Sequence, residues 1–240
     1  MSDFVHLHCH TEYSMLDGAI RLKDLCARAK DFGMSSCAIT DHGNMFGAGQ
    51  FQEACREYGL KPIFGCEVYV TPNRFDTTSD SARRRNHLIL LARNEEGFHN
   101  LLKIVTAGWQ EGFFYKPRVD WDVISAHAKG ITCLSACLQG QIPQAILSKR
   151  MDVAANLARY CSKLFDGHFY LELQHNGIQE QTTVNNGLLE LSRSEGIPVV
   201  ATNDCHYLNP DDVEAHDILL CIGTGSTIQD ARRFRFRTTE

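Results

Sequence analysis

His6-Leu7-His8-Cys9-His10-Thr11-Glu12-Tyr13-Ser14-Met15-Leu16-Asp17-Gly18 is an extended pattern that runs into a turn. Side chains two apart on a strand share a face, so His8 and His10 point together, and Asp17 lies just beyond them. Two imidazoles and a carboxylate are a competent donor set for a divalent metal. His-x-His by itself is a weak signal, because scattered histidines are more often core or surface residues. It gains weight because similar residues recur along the chain in step with the strands.

Short apolar runs at 4–8, 36–40, 62–70, 87–92, 131–135, 169–173 and 199–202 read as strands, with helical periodicity between them at 21–32, 48–58, 95–109, 152–165 and 179–195. Gly33, Gly167 and Gly196-Ile197-Pro198 supply stops, and Asn209-Pro210 supplies a helix start. Strands separated by helices predict a parallel α/β sheet, apolar on both faces because helices cover it. No G-x-G-x-x-G or P-loop is present, so an open nucleotide-binding sheet has no support. The polar stretch 72–86 reads as a mobile loop. The tail 230–240, with Phe234 and Phe236 alternating with Arg235 and Arg237, resembles a strand without a partner.

The 240 residues suffice for one large α/β domain. No apolar run approaches the roughly 20 residues of a membrane span, and no signal sequence opens the chain, which predicts a cytoplasmic protein without membrane contact. Ten cysteines include no C-x-x-C pair and lie mostly in apolar runs, where free Cys packs as a small hydrophobe. The net charge of −5 argues against a protein that grips duplex DNA by its phosphates. A small phosphate ester, a strand end, or bound metals supplying the positive charge suit it better.

Metal-capable residues fall at or just past the strand ends: His8, His10 and Asp17 after the first; Asp41 and His42 after the second; Glu67 on the third; Cys137 after the fifth; Asp204 and His206 after the seventh. In a β/α barrel these ends gather on one face, where active sites sit, and closure makes the first and last strands neighbours. His87 starts its strand and joins that face only if 67–70 and 87–91 form an antiparallel hairpin. His6 reads as a packed interior residue and Asp41 as a group orienting a ligand from behind. Cys137 reads equally as a core thiol or a ligand. His99, His127, His168, His175 and His216 sit in helix or loop settings and read as non-ligands.

His8-x-His10, Asp17, Thr40-Asp41-His42-Gly43, Gly65-x-Glu67, His87, Cys137 and Asp204-x-His206 resemble the PHP (polymerase and histidinol phosphatase) superfamily. HTEYSMLDGA (10–19), AITDHGNMFGA (38–48), KPIFGCEVYV (61–70), HLILLARNEEGFHNLL (87–102), FYKPRVDW (114–121), VATNDCHYLNPDDVEAHDILLCIGTG (200–225) and RFRF (233–236) are similar to its polymerase branch, the PHP domain at the N-terminus of bacterial DNA polymerase III alpha subunits. The resemblance implies an α/β fold, a distorted seven-stranded (βα)7 barrel like a TIM barrel. It implies a nine-ligand site for up to three metals: His8, His10, Asp17, His42, Glu67, His87, Cys137, Asp204 and His206. Some members have lost ligands; here all nine positions are occupied. Residues 1–225 form the expected barrel domain, and 226–240 lead toward a polymerase region outside this sequence.

The activity this implies is metal-dependent 3′–5′ exonuclease cleavage, with the single-stranded 3′ end of DNA as substrate. Histidines and carboxylates favour Zn²⁺ or Mn²⁺ over Mg²⁺, and a Cys137 thiolate favours Zn²⁺. Lys116 and Arg118 are candidate phosphate contacts; Phe113, Phe114 and Tyr115 are candidate base-stacking residues, and Arg83-Arg84-Arg85 reads mainly as a solvated run. The implied partners are polymerase domains of the same parent chain and a proofreading or clamp subunit. Two other readings use the same donors: a phosphatase for small phosphate esters, and a metal-stabilised structural or docking module.

Overall fold

A computed structural model describes residues 4–236; residues 1–3 of the expected barrel and 237–240 of the expected C-terminal segment lie outside them. One curled sheet contains β1 (Ser36–Ile39), β2 (Lys61–Val70), β3 (Asn86–Ala92), β4 (Phe113–Phe114), β5 (Lys116–Val119), β6 (Ile131–Leu134), β7 (Phe169–Gln174) and β8 (Val199–Thr202). Its order is β4-β5-β2-β3-β6-β7-β8, with β1 on the first half of β2. The helices are α1 (Leu22–Asp31), α2 (Ala48–Tyr58), α3 (Glu95–Gln110), α4 (Trp121–Ala126), α5 (Gln141–Leu147), α6 (Met151–Leu164), α7 (Gln179–Glu195) and α8 (Val213–Thr224). None is long and apolar enough to cross a membrane.

The expected first strand, 4–8, is extended but forms no regular ladder. It nevertheless closes the curl. Ala38 N donates to His6 O and Thr40 N to Cys9 O on one side; on the other, His10 N donates to Cys205 O and Cys205 N to His8 O. The first and last strands thus become neighbours, as closure requires.

The sheet is not wholly parallel. β3 runs antiparallel to both β2 and β6, because residues 71–85 return the chain as a hairpin and not through a crossover helix. Tyr69 pairs with His87, so the start of β3 meets the end of β2. The loop 72–86 is also more ordered than its composition suggests. It contains a 3₁₀ turn, Asp80–Arg83, and the Arg74 guanidinium clamps it to Asp120 at 2.8 Å and Glu111 at 2.7 Å. The small β4–β5 hairpin, α4 and α5 carry too short a pattern to read from the sequence.

Alternation along the strands explains where the chemistry sits. Inside the curl, Ala38, Ile89, Leu91 and Leu134 pack with Leu7, Ile63, Tyr170 and Val200 to fill the lower part. One step further along the inward-facing positions come Thr40, Glu67, Glu172 and Thr202, all buried and polar. The outer face buries Val68, Leu90, Cys133, Phe169 and Leu171 against helices through Leu101, Ile104 and Leu188. Cys9, Cys26, Cys37, Phe51 and Cys55 form a second core under α1 and α2. All ten cysteines are unpaired, as expected of small core hydrophobes.

Candidate metal centre

The nine expected donors converge at the upper mouth of the curl. His8 Nε2 lies 3.1 Å from His10 Nε2 and 3.1 Å from Asp204 Oδ1, and His10 Nε2 lies 3.2 Å from the same oxygen. His42 Nε2 is 2.8 Å from Asp17 Oδ2, and His206 Nε2 is 3.7 Å from Asp17 Oδ1. His87 Nδ1 is 2.8 Å from Glu67 Oε1 and 3.5 Å from Cys137 Sγ. Of four groupings among the described residues that could hold an ion, one, Cys26, Cys37 and Cys55, lies in the core under α1 and α2, and three lie here: His8, His10 and Asp204; His10, His42 and His206; Glu67, His87 and Cys137. Glu67 joins them, with Oε1 3.5 Å from His8 Nε2 and Oε2 2.5 Å from His42 Nδ1. His87 reaches the cluster because β3 is reversed, as the hairpin reading requires.

The lone pairs point at shared points in space. Among the described residues, ten buried side-chain nitrogen and oxygen atoms have no hydrogen-bond partner, and five belong to this cluster: both Glu67 oxygens, Asp17 Oδ1, Asp204 Oδ1 and His42 Nδ1. Buried polar atoms are normally paired, so such a concentration of orphans calls for an explanation. Imidazole, carboxylate and thiol donors around common points fit divalent cations.

The histidines are held from behind. Glu172, fully buried on β7, accepts from His8 Nδ1 at 2.6 Å, and Thr202 donates to the same carboxylate oxygen. His10 Nδ1 donates to Ser14 Oγ at 3.1 Å, and Ser14 donates onward to Asp41 Oδ1 at 2.6 Å. Asp41 therefore acts through Ser14, consistent with its reading as an orienting group. His206 Nδ1 donates to Asp204 O at 2.9 Å. In all three imidazoles Nε2 is the nitrogen left facing the cluster, the arrangement that supports metal-ligating histidines. Glu172, Ser14 and Thr202 escaped the sequence reading; the one available signal was a carboxylate in the apolar run Phe169–Gln174.

Electrostatics follow the geometry. Burial, with His42 and His206 close by, lowers His10 to about 3, so it presents a neutral imidazole. Burial opposes charge on His42, yet Glu67 and Asp17 outweigh it and raise its pKa to about 10. Asp17 is held at about 2, against burial, by the hydrogen bond from His42 and the charges of His206 and His42. Glu67 and Asp204 lie below the usual carboxylate range despite burial, through His87 and His42 for the first and His8 and His206 for the second. Burial pushes the Cys137 thiol up, and Glu67 and Asp204 add to the rise. A cation placed there must displace that proton, because the thiolate is the ligand.

Several remaining residues fall differently from expectation. Arg118 is fully buried, with Nε donating to Gly112 O at 2.9 Å, Nη1 to Ala82 O at 2.6 Å and Nη2 to Arg74 O at 2.8 Å. Enclosed on three carbonyls, it is a structural tie and not a phosphate contact. Lys116 is exposed near the cleft, with Nζ 5.7 Å from the centre of the Tyr69 ring. Phe114 lies against the Arg118 guanidinium and is half-buried. His6 is only half-buried, its Nδ1 3.5 Å from Cys205 Sγ. His216 donates from Nε2 to Asp17 O at 2.6 Å, so it steadies a ligand without being one. Among the described residues of the tail, 230–236, none lies in a strand: Arg233 pairs with Asp217 at 2.6 Å, and the Phe236 ring packs 4.4 Å from that of His206.

A curled α/β sheet with histidines, carboxylates and a thiol gathered at its mouth defines a class, the PHP domain. The profile of that domain matches residues 6–176, and the chain belongs to this family. More particularly, it is similar to DNA polymerase III subunit alpha of Borreliella burgdorferi, 44% identical over 241 residues that cover 100% of this chain and 21% of that protein. The Treponema pallidum subunit is 47% identical over 240 residues, covering 99% and 20%. The chain spans about a fifth of the length of these curated relatives. A solved structure from Bifidobacterium adolescentis, assigned as a metal-dependent phosphoesterase, shares the fold with a TM-score of 0.51 at 17% identity, over 85% of this chain and 87% of that one.

Proposed function

We propose that the chain is a metal-dependent phosphodiesterase that removes nucleotides from a single-stranded 3′ end, a 3′–5′ exonuclease of the proofreading kind. The observation that carries this is the convergence of nine donors, four of which (Asp17, His42, Glu67 and Asp204) have buried atoms without a hydrogen-bond partner. The donor chemistry suits Zn²⁺ or Mn²⁺, in up to three positions. Ions held by these residues would activate a water near neutral pH and withdraw charge from the scissile phosphate.

The chain's own residues do the rest. Glu172 and the Ser14–Asp41 pair fix His8 and His10, so the donors are in place before substrate arrives. His8, His10, Glu67 and His206 form a buried floor, while Asp17, His42, His87, Cys137 and Asp204 are partly open to solvent at the rim. A recessed floor admits a strand end and excludes a duplex. Lys116, exposed nearby, receives the phosphates. In this reading residues 1–225 are the catalytic barrel and 226–240 lead on to polymerase domains of a longer subunit. DNA is the substrate, a proofreading or clamp subunit is a neighbour, and the compartment is the cytoplasm.

The test is degradation of a 3′-mismatched primer by the purified chain in Mn²⁺ or Zn²⁺. Stepwise shortening from the 3′ end is expected, reduced about a hundred-fold or more in Asp17→Asn and in His10→Ala. Absence of cleavage with metals demonstrably bound would sink the proposal. Release of phosphate from small monoesters, with no attack on the primer, would replace it with a phosphatase.

A further inference from the structure

Phe46, Trp109 and Phe113 are 58%, 41% and 53% exposed, yet their rings form one continuous column. The centroids of Phe46 and Trp109 are 5.6 Å apart, with the planes tilted by 42°; those of Trp109 and Phe113 are 5.5 Å apart and stacked, with the planes within 22°. The three come from distant places: the segment before α2, the last turn of α3, and β4. Burial does not explain the grouping, because all three keep large faces in solvent.

The column is fixed to the donor cleft. Trp109 Nε1 donates to Gly43 O at 2.8 Å, and Gly43 directly follows His42. Gly43 has φ +64, and a Cβ there would lie 2.6 Å from Pro117 Cγ, so the β4–β5 hairpin packs straight onto the His42 loop. Next to Pro117, exposed Lys116 stands over Tyr69, whose ring lies stacked 5.9 Å from that of His42. Arg83, Arg84 and Arg85 are exposed just ahead of His87. The rings therefore adjoin the hairpin that carries Lys116, and Lys116 and Arg85 both lie by Tyr69, whose ring stacks on the candidate ligand His42.

We propose that Phe46, Trp109 and Phe113 form a stacking platform for the unpaired bases of a single-stranded nucleic acid, whose backbone passes Lys116 and Arg83–Arg85 on its way to the cleft. Exposed aromatic faces with neighbouring cations are how strands are held without sequence preference. A duplex buries its base faces and cannot use the platform. The direction of the strand rests on the phosphodiesterase reading; the binding itself does not.

The experiment measures affinity for a fluorescein-labelled oligothymidylate of about eight nucleotides by anisotropy, in EDTA so that no cleavage intervenes. The parent chain is expected to bind it with quenching of tryptophan fluorescence. Trp109→Ala and Phe113→Ala each weaken binding about ten-fold, and Trp109→Phe, which keeps a flat ring, restores most of it. Thermal melting of each variant establishes that it is folded. Unchanged affinity in folded Trp109→Ala and Phe113→Ala overturns the platform, as does equal competition by a duplex of the same length. Self-association lost in these variants while strand binding persists also overturns it, and assigns the rings to an interface between copies. Ring-dependent binding with no cleavage in Mn²⁺ keeps the platform and removes the phosphodiesterase; cleavage and binding indifferent to the rings do the reverse.

Discussion

Glu67→Gln is expected to lower metal-dependent cleavage by about a hundred- to a thousand-fold, the scale seen when a group stabilising charge at the reacting centre is removed. The substitution keeps the shape of the side chain and alters only its donors. Glu67 Oε2 lies beside His42 and Oε1 beside both His87 and His8, so one carboxylate serves more than one of the donor groupings. An amide offers one acceptor in place of two and removes the negative charge that His42 meets there. Cys137→Ser touches one grouping only and is expected to cost less. Single-turnover rates on a short strand, read together with metal content, check both. A Glu67→Gln rate within a few-fold of the parent would refute the bridging role.

Arg118→Met is expected to cost about 3 kcal/mol of stability, because three buried carbonyls lose a charged donor at once. For a chain of this size that lowers Tm by about 6–12 °C. Gly112, Ala82 and Arg74 belong to the turn before β4 and to the segment leading to β3, and Arg118 is what joins them. Calorimetry reads the loss directly. If Arg118 instead held phosphate, Tm would stay near the parent value and strand affinity would fall. The opposite pattern is expected here.

The fate of Arg118 shows what the sequence could convey. Lys-Pro-Arg beside aromatics reads as a nucleic-acid contact, and nothing in that stretch reveals that Arg118 is buried while Lys116, two residues before it, is exposed. That depends on the distant segments carrying Arg74 and Ala82, which fold over Arg118 and meet its guanidinium. Most of the metal-capable residues were legible because they fall at or just past the end of an apolar run, and strand ends gather on one face whatever their order; Glu67 lies within its strand and His87 at the start of one. The bounds of α2, α7 and β8 fall at the expected residues because strong periodicity or glycine and proline stops mark them. The reversal of β3 shows only in the need to bring His87 to the other donors. Glu172 and Ser14 were hidden because an orienting role is visible only once the histidine is in place. Phe46 and Trp109 lie 63 positions apart in sequence, and their ring contact comes from packing alone.

The most direct measurement is anomalous diffraction at the manganese edge from crystals grown with Mn²⁺. Peaks are expected among His8, His10 and Asp204, among His10, His42 and His206, and among Glu67, His87 and Cys137, up to three in all, with the Glu67 carboxylate shared. A cluster without anomalous density at full metal saturation, or density only at other acidic surface sites, would contradict the metal centre on which the proposed chemistry rests.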